Sequence, residues 1–432
     1  MKKLTISVVI ALMMAIALTS FVGCQKEAAE EAVQQTPPPA APAAAEPAAE
    51  PAEQGAYEDG IYIAMDDGFS NGWKYIATIT VENGMITDAD WNGVSESAGA
   101  TKKDYDKAGK YNMVAYGGAQ AEWYEQASRA EAYLIETQDP TAITYTDDRG
   151  HTDDIAGVSV HVIEFFELAE KALAQGPVGT GNFVDGAYYM FADEYAGSGW
   201  KEYVSLTVLN GHIAAVNWSA VNRDGHDKKL YDAAGKYNMV AYGGAQAEWS
   251  EQAARAEEYL MEVQDPLEIT YVDDDGHTDA IAGVSIHVDA LFDLAKEALM
   301  AGPRELGKYS DGGYYAIADE ASNGWTEYVA LNVVNGNIAN VYWSALNEAG
   351  DDKKVYDMEG NYNMVAYGGA QAEWYEQAAR AEAYLLETQD PSAIEYVDDE
   401  GHTDAIAGVS IHVNALFELA EKALENGAIS YE

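Results

Sequence analysis

The sequence predicts an α+β fold in three tandem domains, each a small antiparallel β-meander with two helices. Three observations carry that prediction. The run Tyr-Asn-Met-Val-Ala-Tyr-Gly-Gly-Ala-Gln-Ala-Glu-Trp stands unchanged at 111–123, 237–249 and 362–374. All nine Trp fall into three aligned columns: Trp73, Trp200 and Trp325; Trp91, Trp218 and Trp343; Trp123, Trp249 and Trp374. Each copy places an Asn-Gly pair between alternating apolar segments, followed by two stretches with apolar residues at helical spacing, the signatures of a hairpin and of amphipathic helices. A unit of roughly 120 residues is domain-sized and too long for a solenoid repeat. The copies occupy 57–176, 183–302 and 309–427.

Within the first unit, Gly60–Met65 and Trp73–Glu82 read as strands from their near-alternation of Tyr, Ile, Thr and Val. Asn83-Gly84, Asn210-Gly211 and Asn335-Gly336 suit the left-handed pair of a two-residue hairpin turn, and each leads into a third strand ending near the second Trp. Gly117-Gly118 opens a helix with Trp123, Ala127, Ala130 and Leu134 on one face. It stops before Asp139-Pro140, because a residue ahead of proline is pushed out of helical conformation. A short strand over 142–146 is expected next, then the acidic turn Asp147-Asp148-Arg149-Gly150. A closing helix follows, with Val162, Phe166, Ala169 and Leu173 as its buried stripe.

Ahead of the units, residues 1–23 read as an export signal: Lys2 and Lys3, the apolar run Leu4–Leu18, then small residues. That run is short for a membrane span. Its close, Ser20-Phe21-Val22-Gly23-Cys24, resembles the lipobox of bacterial lipoproteins, with Phe21 where that family usually has Leu. The resemblance implies that Cys24 is the lipidated first residue of an extracytoplasmic, membrane-anchored protein. Residues 24–56 are mostly Ala, Pro and Glu and form no core, so they are expected to be a disordered, extended spacer. The 73 acids against 24 bases leave a net charge of −49, which excludes nucleic acid as a partner and leaves the lipid as the means of holding a membrane. The single cysteine excludes internal disulfides and Cys-ligated clusters.

Chemistry concentrates in one stretch, TDDIAGVSVHV at 152–162, which returns as TDAIAGVSIHV at 278–288 and 403–413. Asp153, Gly157 and Ser159 recur as Asp279, Gly283 and Ser285, and as Asp404, Gly408 and Ser410. The small residues around each Ser let a bulky group approach the backbone. The spacing places the Ser at the start of the closing helix, either as a plain N-cap or where free N–H groups would face a phosphate. No P-loop, HExxH, GxSxG or dinucleotide-binding glycine pattern is present. Ser159 and His161 stand at i and i+2, which on a helix point apart, so a nucleophilic Ser–His pair is not expected. His151, His277 and His402, with His161, His287 and His412, offer two imidazoles per unit. With Asp153 nearby they suggest a divalent-metal set, although hydrogen-bonded turn histidines read the same way. Lys102-Lys103, Lys228-Lys229 and Lys353-Lys354 are conspicuous cations in so acidic a chain, fit for a solvated loop or for balancing a phosphate. The Tyr-Gly-Gly-Ala-Gln-Ala-Glu-Trp run is the place where an aromatic could stack on a flat ring.

The key stretch resembles the FMN-binding domain family, whose motif is Asp, two residues, Ser or Thr, Gly, Ala, then Thr or Ser. Its members include flavin-carrying subunits of sodium-pumping NADH:quinone reductases and extracellular flavin lipoproteins. The resemblance implies that a flavin transferase joins FMN through its phosphate to Ser159, Ser285 and Ser410. Gly157, Gly283 and Gly408 would allow the close approach, and Asp153, Asp279 and Asp404 would orient the motif for the transferase or the loop. The Asp-Gly-Xaa-Tyr start, the Asn-Gly hairpin and the closing helix extend the resemblance over nearly all of each unit. Ala156, Ala282 and Ala407 stand where the family has Ser or Thr, and Val158, Val284 and Val409 where it has Ala. The implied function is an extracytoplasmic electron carrier with unknown redox partners, rather than an autonomous enzyme. The departures leave a second reading open: a surface binding or structural lipoprotein that kept the fold without covalent flavin and takes a divalent metal.

Overall fold

The computed structural model describes residues 55–431. The export signal, Cys24 and all but the last two residues of the spacer lie outside the described residues. In the first unit β1 (Gly60–Met65), β2 (Trp73–Glu82) and β3 (Met85–Ser95) pair antiparallel in the order β1-β2-β3. Four helices follow: α1 (Lys102–Lys107), α2 (Met113–Gly117), α3 (Trp123–Thr137) and α4 (Ile163–Gln175). The second unit repeats this as β4 (Gly186–Phe191), β5 (Lys201–Leu209), β6 (His212–Val221), α5 (Lys228–Ala233), α6 (Met239–Gly243), α7 (Trp249–Val263) and α8 (Asp289–Ala301). The third comprises β7 (Gly312–Ile317), β8 (Trp325–Val334), β9 (Asn337–Asn347), α9 (Lys353–Met358), α10 (Met364–Gly368), α11 (Trp374–Thr388) and α12 (Asn414–Asn426). The α+β meander expected from the sequence is therefore present three times. Among the described residues, no helix is long and apolar enough to cross a membrane.

The hairpin joining β2 to β3 turns where the Asn-Gly pair requires it, with Asn83 at φ 55° and Gly84 at φ 73°. One face of each sheet is covered by two long helices. Trp91 stacks on Phe165 of α4 at 5.5 Å and meets Trp123 of α3 edge-on at 5.1 Å. Around them Ile79, Ala127, Ala130, Leu134, Phe166 and Ala169 close the core. α3 starts at a reciprocal Glu122–Glu125 capping box and not at Gly117-Gly118, which instead close the short α2, Gly118 as its left-handed cap. It ends at Gln138, which adopts a left-handed conformation and turns its side chain back onto the sheet.

The edge of β3 is closed by side chains. Glu131 accepts from the Trp91 backbone N–H at 2.7 Å, and the Gln138 amide both accepts from and donates to the Ile86 backbone at 2.8 Å. That explains why 142–146 is not the strand expected from its sequence. With the β3 edge occupied, the segment closes on its own loop. The Thr146 N–H donates to the His151 carbonyl at 2.7 Å, and Thr152 Oγ1 donates to the Thr144 carbonyl at 2.8 Å.

The opposite sheet faces are buried against neighbouring units. Ile76, Val94 and Ala98 meet Ala214 and Ala215 of the second unit. Tyr203 and Val221 meet Val334 of the third, and Tyr195 packs with Tyr328 and Tyr342. The described residues, 55–431, form one compact body.

Candidate functional site

The three serines occupy identical turns, and each is positioned by α3 or its counterpart. The chain leaves Ile155, buried at the edge of the core, turns at Gly157 and passes the first turns of α3. Gln126, buried on α3, donates through Nε2 to the Ala121 carbonyl. That bond aims its Oε1 at the turn, where it accepts from the Ser159 N–H at 2.7 Å and from Ser159 Oγ at 3.2 Å. Gln252 holds Ser285 with the same two bonds, and Gln377 holds Ser410. The serines themselves are exposed. Each hydroxyl is thus fixed in place and open to solvent.

Gly157, Gly283 and Gly408 have φ of 76°, 76° and 75°, the left-handed region that side chains disfavour. Each glycine carbonyl accepts from an arginine: Arg129 Nη1 at 2.5 Å, Arg255 Nη1 at 2.8 Å and Arg380 Nη1 at 2.6 Å. A Cβ on these glycines would sit 3.1–3.2 Å from the guanidinium. One cation is therefore bonded to the carbonyl of the glycine two positions before each serine. The Asp153, Asp279 and Asp404 carboxylates are exposed, and among the described residues they make no hydrogen bond or ion pair.

The serines do not begin the closing helix. α4 starts at Ile163 behind Val162, and α8 and α12 start behind Val288 and Val413. Three residues separate each serine from its helix, because the Val162 N–H first donates to the Gly150 carbonyl at 2.9 Å and draws the chain across the acidic turn. Neither the N-cap reading nor a site at that helix terminus stands. The start of α3 is already taken by acids: Glu122 and Glu125 form its capping box, and Asp106 accepts from the Tyr124 N–H.

The paired lysines also differ from expectation. Lys102 is only 2% exposed. Its ammonium lies 4.6–4.8 Å from the rings of Tyr75, Tyr111 and Trp123 and donates to the Tyr75 hydroxyl at 2.9 Å. Desolvation pulls its pKa down to about 8, as it does for Lys228, and it lowers Lys353 too. Lys103 bridges Asp90 and Glu131 at 2.5 Å. These cations belong to the interior, so neither a solvated loop nor a phosphate counter-charge describes them.

The histidines meet in pairs, but with a different carboxylate. His151, His277 and His402 use Nδ1 to donate to Asp147, Asp273 and Asp398 at 2.6–2.8 Å. The His151 side-chain bond holds Asp147 down at about 2, and the backbone N–H groups of His277 and His402, seconded by the imidazoles, hold Asp273 and Asp398 below the usual carboxylate range. Asp153 takes no part in these bonds.

Sequence reasoning missed the Gln126 and Arg129 columns, although Gln126, Gln252 and Gln377 recur, as do Arg129, Arg255 and Arg380. In a chain with so few bases, an arginine kept in every copy is a readable signal. The repeated Tyr run forms the short α2 ahead of α3, and Tyr116, Tyr242 and Tyr367 are 87–88% exposed.

No family model matches the chain, and no curated protein matches it. Two solved structures are similar to part of it. A solution NMR structure of a protein from Clostridium thermocellum is 53% identical over 27% of this chain and 91% of its own, with a TM-score of 0.23. A crystal structure of a protein from Clostridium perfringens is 22% identical over 28% of this chain and 88% of its own, also with a TM-score of 0.23.

Proposed function

We propose that the protein is a membrane-anchored extracytoplasmic electron carrier bearing FMN as a phosphoester on Ser159, Ser285 and Ser410. The observation that carries this reading is the serine turn itself, repeated three times: a held serine on the surface, with a guanidinium bonded to the carbonyl of the glycine two positions before it. A phosphoester there keeps one negative charge, and Arg129, Arg255 or Arg380 supplies the local compensation that the −49 chain otherwise lacks. The same charge repels free anionic FMN, so a covalent link holds what electrostatics disfavours.

In forming the link, the serine Oγ would give its proton to a base of the transferase and bond to the flavin-side phosphorus of a flavin dinucleotide donor, whose pyrophosphate P–O bond breaks to release the nucleoside monophosphate. The residues fit that step. Gln126 orients the hydroxyl, the left-handed glycine keeps side-chain bulk from the turn, and the unpaired Asp153 carboxylate remains open to the transferase. Bound FMN would supply the redox chemistry, while the protein supplies placement. An exposed Tyr116, Tyr242 or Tyr367 gives each unit an aromatic face suited to stacking.

The test is the intact mass of denatured protein purified from its own host, with peptide mapping. One to three FMN increments are expected, mapping to the three serines, and each Ser→Ala substitution should remove one. An unmodified mass from a host that carries the transferase would sink the reading.

A further inference from the structure

The Gly-His-Thr-Asp turns differ among the three units in a way the serine turns do not. In the third unit His402 and His412 face each other edge-on, with ring centroids 4.3 Å apart and planes at 88°. Glu400 joins them: one ligand atom from each of Glu400, His402 and His412 lies within 4.8 Å of the others. His402 donates its Nδ1–H to Asp398, which leaves the lone pair of a neutral ring on Nε2. A carboxylate behind an imidazole is the outer-shell arrangement that fixes the tautomer of a metal-binding histidine. We propose that Glu400, His402 and His412 bind one divalent transition-metal ion of the zinc type, with water completing the shell.

Two imidazoles and one carboxylate suit such an ion, whereas hard cations prefer oxygen alone. Bonds of about 2.0 Å in a tetrahedral site bring ligand atoms to roughly 3.3 Å from one another. The remaining contraction falls to Glu400 and His412, both exposed side chains on the surface.

The other units carry the histidines without the set. Arg149 stands at the Glu400 position in the first unit and pairs with Asp147. There the rings are 5.7 Å apart, and His161 is drawn to Glu164 at 2.9 Å. The second unit keeps the 4.3 Å ring contact but has the shorter Asp275. One ion per chain is therefore expected, at the third unit. This site is independent of the flavin reading.

The experiment titrates Zn²⁺ by calorimetry into the chelator-treated full chain in excess Ca²⁺, which occupies the general acidic surface. Co²⁺ serves as a visible probe of imidazole coordination. One equivalent is expected, weakened roughly tenfold or more in Glu400→Arg and in His412→Ala. Asp275→Glu should add a second equivalent, and it tests the set without removing any ligand. Absence of saturable Zn²⁺ binding would overturn the proposal, as would affinity unchanged by Glu400→Arg and His412→Ala or a stoichiometry unchanged by Asp275→Glu. The readout does not depend on flavin, which is scored separately by mass at the serines.

Discussion

Lys102 shows what a single residue costs and gains in this fold. Burying an ammonium without a carboxylate partner is unfavourable unless other groups replace its water, and here three aromatic faces and one hydroxyl do so. In the second and third units Glu202 and Glu327 replace Tyr75, and burial raises the pKa of both carboxyls. A folded pKa of about 8 against an ordinary 10.5 means that between these values the unfolded chain binds the extra proton. Stability therefore rises with pH across that window, because folding no longer buries a charge. The many buried tyrosines act oppositely. Their raised pKa values make the unfolded chain lose protons first above about pH 10, so the gain is confined to roughly pH 8–10. The denaturation midpoint should climb through that range, by on the order of 2–3 kcal/mol of stability for Lys102. The climb should shrink in Lys102→Met. A flat profile in the native protein would show that the ammonium keeps its water.

At the scale of elements, Gln138, Gln264 and Gln389 join each central helix to the sheet. Their amides form a two-bond ladder with Ile86, Ile213 and Ile338, standing in for a neighbouring strand. Gln138→Ala removes both bonds and leaves a left-handed alanine. About 1–3 kcal/mol should be lost for each substituted glutamine, read from chemical denaturation. Gln138→Gly should recover the backbone part alone. Features of this kind mark the limit of what the sequence discloses. The strands, the Asn83-Gly84 hairpin and the end of α3 were legible because each depends on residues adjacent in the chain. The serine turn was legible as a motif, but its anchors were not. Gln126 lies 33 residues from Ser159, and Arg129 lies 28 from Gly157. The cage of Lys102 draws on residues 75, 111 and 123, which no local periodicity brings together. The strand expected over 142–146 failed for a related reason: local pattern does not disclose that side chains already occupy the sheet edge.

Across the whole molecule the three units are not beads on a string. Ser205 Oγ and Thr207 Oγ1 donate to the Ser97 and Gly99 carbonyls at 2.6 and 2.7 Å. The Asn335 side chain accepts from the Ala100 N–H at 2.9 Å. The sharpest case is Gly313, where a Cβ would lie 1.9 Å from the Gly225 carbonyl oxygen of the preceding unit. Asn332 donates to that same carbonyl at 2.9 Å, holding the turn against β7. The equivalent positions are Ile61 and Ala187, so the fold of a unit accepts a side chain there. Only the contact between units forbids it. Gly313→Ile therefore separates the stability of a unit from the stability of their packing. The substitution should leave the third unit folded, since it restores the residue of the first. It should cost about 1–3 kcal/mol or more at the interface, the usual range for overpacking. In calorimetry the native body is expected to melt as one transition, while the variant should release the third unit as a separate, earlier one. A variant that still melts in one step at an unchanged midpoint would mean that the units can part at this contact without loss. The serine turns would then ride on independently mobile domains rather than on one rigid body.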